Sequence, residues 1–109
     1  MTQPLPQALA AYYAAKNQHD IDRMLAPFAD TATVRDEGEE MCGPAEIRAW
    51  MEETTRKYRV TVKVQSVERK SETYAVAAVV SGTFPGSPAT LHYHFTLADG
   101  RIAHLEIGG

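Results

Sequence analysis

Asp20-Ile21-Asp22-Arg23-Met24-Leu25-Ala26-Pro27-Phe28-Ala29-Asp30-Thr31-Ala32-Thr33-Val34-Arg35-Asp36 is the stretch on which the fold turns. Its first part is helical. Asp20 is an N-cap, because its carboxylate can accept a hydrogen bond from a free first-turn amide, and Ile21, Met24 and Leu25 then face inward. Pro27 ends this short helix, since the residue before a proline is pushed out of the α region. Thr31 to Arg35 is β-branched and brief, which predicts a strand. Asp36-Glu37-Gly38-Glu39-Glu40 follows as an acidic turn.

Toward the N-terminus, Leu5, Ala8, Leu9, Tyr12 and either Ala15 or Lys16 recur at helical spacing. Pro4 and Pro6 stand near the start of that helix, where proline is tolerated. Toward the C-terminus, Gly43-Pro44 opens a third helix with Glu46 in its first turn. Ile47, Trp50, Met51, Thr54 and Tyr58 form its inner stripe. From Arg59 the period changes to two: Val60, Val62 and Val64 alternate with Thr61, Lys63 and Gln65. Thr73 to Phe84 is a more apolar strand, expected in the middle of the sheet. Phe84-Pro85-Gly86-Ser87-Pro88 is a turn cluster. In the next strand Leu91, Tyr93, Phe95 and Leu97 alternate with His92, His94 and Thr96. Ala98-Asp99-Gly100 then turns the chain into a last strand from Arg101 to Ile107. Helices followed by four antiparallel strands predict an α+β class. The expected shape is a cone-shaped roll, with three N-terminal helices packed on one strongly curved antiparallel sheet. Its wide end is left for a small ligand.

Composition narrows the classes. A chain of 109 residues is enough for one domain, taken as 1–109, and its 44% hydrophobic and 23% charged residues are those of a globular protein. The net charge of −3 comes from interspersed acids and bases, whereas phosphate binding needs clustered Lys and Arg, so nucleic acid is not an expected partner. The longest apolar run, Tyr74 to Val80, is too short to span a bilayer. The opening Met-Thr-Gln-Pro-Leu-Pro lacks the charged-then-apolar order of a secretory signal. No membrane partner is expected, and a cytoplasmic address is. Cys42 is the only cysteine, which excludes an internal disulfide and a Cys-based zinc site. The glycines follow no phosphate-binding spacing, and no haem or flavin motif is present, so no cofactor is expected.

The order of elements, taken with Phe28-Ala29-Asp30-Thr31-Ala32-Thr33-Val34-Arg35-Asp36, resembles the nuclear-transport-factor-2-like superfamily over nearly the whole chain. That is the cone-shaped fold shared by ketosteroid isomerase and the small polyketide cyclases. Asp20 to Leu25 followed by Phe28 to Asp36 is similar to an isomerase pattern of acid, aliphatic run, aromatic-Ala-Asp, Ala-Thr-Val and then the catalytic aspartate. Gly43-x-x-x-Ile47 followed by Trp50 resembles the opening of the family's third helix, and Asp99-Gly100-Arg101-Ile102 its last hairpin. Such motifs speak to the superfamily more than to a reaction, because one fold hosts unrelated activities.

The resemblance puts Asp36 at the general-base position. A carboxylate closing a strand inside an apolar cone is partly desolvated, which raises its pKa and makes it a better proton acceptor near neutral pH. The alternative is a turn aspartate in a solvated acidic run. Tyr12 falls where the isomerases hold a hydrogen-bonding tyrosine and can donate to a developing oxyanion. Alternatively, it is a core tyrosine with its hydroxyl at the rim. Two positions depart from the isomerase pattern. Tyr93 stands where the isomerases carry a protonated aspartate, and is the candidate second donor. Met51 replaces a second supporting tyrosine. The sequence also stops at Gly108-Gly109 without the family's longer aromatic tail, so steroid isomerisation in the strict sense is not expected. Leu9, Leu25, Trp50, Met51, Phe95 and Leu105 are expected to line the pocket.

The remaining chemistry-bearing residues point elsewhere. Cys42 has no His-Asp arrangement beside it and reads as a small structural or semi-exposed residue rather than a catalytic thiol. If the last turn holds three residues, His94 pairs with His104 and His92 with Glu106, all on the face opposite Leu91, Tyr93 and Phe95. Three imidazoles and a carboxylate are zinc ligands by type, but a flat strand pair rarely converges them to a tetrahedron, so no metal is expected. His92, His94, Thr96 and His104 instead suit a wet, two-fold homodimer face, as relatives commonly use. His19 precedes the Asp20 cap and is expected to be exposed. Three functions stay open: an isomerase- or lyase-type enzyme moving a proton on a small apolar carbonyl compound, a ligand-binding module without chemistry, and a dimerisation domain.

Overall fold

A computed structural model describes residues 5–108; Pro4 and Gly109 lie outside the described residues. Helix α1 (Gln7–Asn17) turns Ala8, Leu9, Tyr12, Tyr13, Ala15 and Lys16 inward. It stops where the Gln18 amide bonds back to the Ala14 and Ala15 carbonyls and His19 takes φ 55°. Two side chains then tie this end of the helix to the sheet. Asn17 Nδ2 donates to the Val62 carbonyl at 3.0 Å and its Oδ1 accepts from the Val62 amide at 2.6 Å. His19 Nε2 donates to the Val60 carbonyl at 2.8 Å. His19 is therefore half-buried rather than exposed, because the left-handed turn swings its ring back onto the sheet.

Helix α2 (Ile21–Leu25) is capped by Asp20, whose side chain accepts from the Arg23 amide at 3.2 Å. Strand β1 (Phe28–Asp36) begins directly after Pro27, three residues earlier than β-branching alone predicts. The acidic turn is tighter than expected. Glu37 and Gly38, both at positive φ, reverse the chain into an extra strand, β2 (Glu39–Cys42). Helix α3 (Gly43–Tyr58) has proline in its first turn, and Glu46 Oε1 reaches back to accept from the Cys42 amide at 2.9 Å. That contact satisfies one of the free donors at the helix start. Arg59, left-handed at φ 48°, closes the helix.

Strands β3 (Thr61–Lys70), β4 (Thr73–Ser81), β5 (Ala89–Ala98) and β6 (Arg101–Gly108) form the antiparallel meander. The full sheet order is β2-β1-β6-β5-β4-β3. β1 lies parallel to β6, so the sheet is mixed rather than antiparallel throughout. Register breaks at Val64/Ser66 and Thr96/Leu97 let the open sheet curl around the helices. The concave side packs Val34, Leu105, Phe95, Val76 and Val67 against Leu9, Tyr12, Ile47 and Met51, all essentially without exposure. The α+β roll with three helices on one curved sheet is thus the observed architecture.

The β5–β6 register differs from the three-residue turn expected. Asp99 (φ 52°) and Gly100 (φ 77°) form a two-residue turn that pairs Ala98 with Arg101. Two consecutive left-handed residues match the right-handed twist of the flanking strands. A further one-residue shift between Thr96 and Leu97 then sets His94 opposite Glu106, His104 opposite Thr96, and His92 opposite Gly108. The His94–His104 and His92–Glu106 pairings do not form. His104 Nδ1 is instead 2.6 Å from Thr33 Oγ1 on β1. Among the described residues no three His, Cys, Asp or Glu side chains are placed to share a metal ion. No described helix is long and apolar enough to cross a membrane.

Candidate functional site

At the wide end of the roll lies a cavity of about 410 Å³, within the usual range of about 300–1,000 Å³ for small-molecule sites. Trp50, Thr54 and Tyr58 of α3 form one wall, and Leu91, Tyr93 and Ile107 of the sheet form another. The loop after β4 closes the side with Phe84 and Pro85. Gly82 makes this loop position available. A Cβ there would stand 2.6 Å from the Tyr58 carbonyl oxygen, so only glycine lets the loop reach the end of α3. Thr83 N then donates to that carbonyl at 2.8 Å, and the Phe84 ring meets Tyr58 edge-on at 6.0 Å.

Five lining residues carry groups able to exchange protons: Lys16 and Tyr93 are buried, Asp36 and Tyr58 half-buried, and Glu37 exposed. Asp36 closes β1, and its backbone lies beside Ile107 of β6, which pairs in turn with Tyr93 of β5. The indole Nε1 of Trp50 donates to Asp36 Oδ2 at 3.0 Å and holds the carboxyl toward the cavity. Burial raises the Asp36 pKa above the ordinary value of 3.8, and the neighbouring charges of Glu37 and Glu39 add to this. The Trp50 hydrogen bond and the Lys16 charge oppose the rise without cancelling it. Tyr93 is buried, and burial, followed by the charge of Asp36, pushes its hydroxyl far above the ordinary value. It remains a neutral donor at any working pH. Lys16 is 7% exposed, and burial lowers its pKa from 10.5 to about 8, with Asp36 partly opposing that shift.

A model of the SnoaL-like domain matches residues 9–105. The chain belongs to the SnoaL-like family. The superfamily is the nuclear-transport-factor-2-like one that Phe28 to Asp36 resembles. Among solved structures, this SnoaL-like chain is similar to a proposed polyketide cyclase from Sinorhizobium meliloti. The two share 38% identity over 95% of each chain, with a TM-score of 0.92. It shares its fold with a ketosteroid isomerase-like protein from Catenulispora acidiphila, in complex with trimethylamine, at 20% identity and a TM-score of 0.85 over 97% of this chain and 87% of that one. It also shares its fold with SalBIII, an epoxide hydrolase/cyclase-like enzyme of pyran ring formation in the polyether salinomycin. That match has 20% identity and a TM-score of 0.78 over 93% and 86% of the two chains. A search of curated proteins returned no match.

The structure brings only some of the expected residues to the SnoaL-like cavity. Asp36, Tyr93 and Trp50 line it. Leu9, Met51, Phe95 and Leu105 are fully buried in the packing behind it, and Leu25 packs on the edge of that core. These five are therefore core rather than lining. Aromatic rings pack against one another in the core behind the cavity. Tyr12 belongs to this packing: its ring meets Tyr13, Phe28 and Phe95 edge-on at 5.3, 5.7 and 5.8 Å. The Tyr12 and Tyr13 hydroxyls are buried with no hydrogen-bond partner among the described residues. Sequence reasoning passed over Lys16 as a site residue. The available signal was its spacing, since it lies one helical turn after Tyr12 on the same stripe. Cys42 is exposed on the outside, away from the cavity.

Proposed function

We propose that the cavity receives a small, mostly apolar carbonyl compound and that Asp36 moves a proton on it, as a cofactor-independent isomerase, dehydratase or cyclase does. One observation carries this reading: a carboxyl whose proton affinity is raised by burial, oriented by Trp50, on the wall of an apolar cavity. Tyr93 is the donor for the carbonyl oxygen, since its hydroxyl makes no hydrogen bond to a described residue and lies on the same wall. The proposed activity of the Sinorhizobium meliloti relative supports cyclase chemistry within this class. The partner we infer is a second copy of the chain, docked on the outer sheet face around His92, His94 and Thr96.

A second reading, ligand binding without chemistry, is favoured by Tyr12. Its hydroxyl is sealed in the core, so the donor that the isomerase resemblance implies does not line the cavity. One measurement separates the two readings. Trp50 is the sole tryptophan and touches Asp36, so quenching of its fluorescence reports occupancy of the cavity. With 2-tetralone as probe in D₂O, the enzyme reading expects quenching and exchange of the α-protons at least tenfold above buffer. Asp36→Asn abolishes the exchange and keeps the quenching. Carbon-detected NMR is expected to place the Asp36 midpoint above 3.8. Quenching without exchange supports the binding module, and a midpoint at or below 3.8 removes Asp36 as the base.

A further inference from the structure

Lys16 has no place in proton transfer by Asp36 and Tyr93, yet it is the one lysine or arginine on the cavity wall. Helix α1 carries it inward one turn beyond Tyr12, where its Nζ lies 5.7 Å from the Tyr12 ring centroid. The ion pairs of the described residues involve Arg23 and Arg48, and none includes Lys16. Asp36 faces the same cavity but lies beyond ion-pairing distance. No hydrogen bond joins Nζ to a described residue, so the amine rests over the Tyr12 ring at the cavity with its hydrogen-bonding capacity unspent. A buried cation left in this state has a cost that a surface lysine avoids. Lys57, Lys63 and Lys70 are all exposed.

We propose that Lys16 condenses with the carbonyl carbon of the cavity's ligand, an aldehyde or ketone, to form an imine. This rests on the reading of the cavity as a carbonyl-compound site and deepens it. The Nζ lone pair bonds to the carbonyl carbon while the C=O π pair moves to oxygen, and one of the two nitrogen protons passes to that oxygen, giving a neutral carbinolamine. The carbon–oxygen bond then breaks. The hydroxyl, protonated by the Asp36 carboxyl, leaves as water while the nitrogen keeps its remaining proton, giving a protonated imine and the Asp36 carboxylate. No oxidant or reductant is needed. In the protonated imine the nitrogen is the electron sink. When Asp36 removes an α-proton, the C–H pair becomes a C=C bond and the C=N π pair settles on nitrogen, giving an enamine. Reprotonation and hydrolysis return the carbonyl product and the Lys16 amine. Burial serves this step directly, because only the neutral amine attacks. An amine with a pKa of about 8 is neutral roughly two to three hundred times more often at neutral pH than an exposed lysine.

The test uses the full chain with 2-naphthaldehyde or 2-tetralone as probe and sodium cyanoborohydride to reduce any imine to a stable amine. Intact mass and peptide mapping then locate the adduct. The expected result is modification of Lys16 at least tenfold faster than of Lys57, Lys63 or Lys70, with a rate that rises to a plateau near pH 8. A non-carbonyl competitor such as naphthalene should suppress it. Lys16→Arg should lose the adduct while the probe still quenches Trp50. Modification of Lys16 no faster than of the exposed lysines, with Trp50 quenched, overturns the imine and leaves the cavity reading standing. Absence of both quenching and Lys16 adduct overturns the two together.

Discussion

Lys16 shows what one charge costs inside an apolar wall. Its pKa falls from 10.5 to about 8 in the folded protein, so between these values the unfolded chain holds more protons than the folded one. Stability therefore rises with pH across that window, and below about pH 8 the full cost is present. Lys16→Met keeps the aliphatic stem and removes the charge. At pH 7 it is expected to raise stability by about 1–3 kcal/mol, and above pH 10.5 this gain should largely disappear. Urea denaturation at the two pH values measures this, and a loss of stability at pH 7 would mean that the ammonium is compensated by a partner. Asp36 follows the opposite logic: its folded pKa is raised, so its contribution to stability is present below the ordinary value of 3.8 and lost as pH rises through the folded value. Asp36 was legible in the sequence because it ends a recognisable segment. Lys16 was not, because at helical spacing it competed with Ala15 for the inner stripe and a lysine is rarely fully buried.

At the scale of elements, the loop between β4 and β5 is the most exacting. Gly82 sits against the Tyr58 carbonyl, and its amide donates to Ser87 Oγ at 2.9 Å. A methyl group 2.6 Å from a backbone oxygen cannot be absorbed by a side-chain rotation. Gly82→Ala is expected to cost about 1–3 kcal/mol and to weaken probe quenching of Trp50, because Phe84 and Pro85 move with the loop. Chemical denaturation and the quenching titration check both effects. An unchanged midpoint would show that α3 and the loop are not in the contact described. The helices and the meander were legible because period and punctuation agree there: Asp20 caps, Pro44 opens a helix, and valines alternate from Val60. Strand β2 was not, because Glu39 and Glu40 have low strand preference. It forms because Glu37-Gly38 folds the chain back onto β1, and its charges suit an edge strand. The β5–β6 register was missed by two residues: one because turn length is set by the conformations of Asp99 and Gly100, which composition does not distinguish from a three-residue turn, and one because of the irregularity between Thr96 and Leu97.

For the whole molecule, the convex face of the sheet is the open question of assembly. No described element covers Ala75, Ala77 and Val79 of β4, which lie on that face between the charged edges. Dimerisation through it is expected to appear as a two-chain species in sedimentation at micromolar concentration. His94→Glu, which sets a like charge opposite Glu106 in the observed register, should shift it toward monomer. A wild-type monomer under those conditions removes the dimer. The sequence by itself determined the class of the fold, the order of its main elements and the position of Asp36 at the end of β1. Those properties depend on neighbours a few residues apart, through caps, prolines and side-chain period. Only the tertiary structure decided that β1 runs parallel to β6, that Trp50 holds Asp36, that Tyr12 is sealed in the core and that Lys16 faces the cavity. Each of these depends on groups brought together from distant segments, where packing and desolvation choose among placements that the local pattern leaves equal.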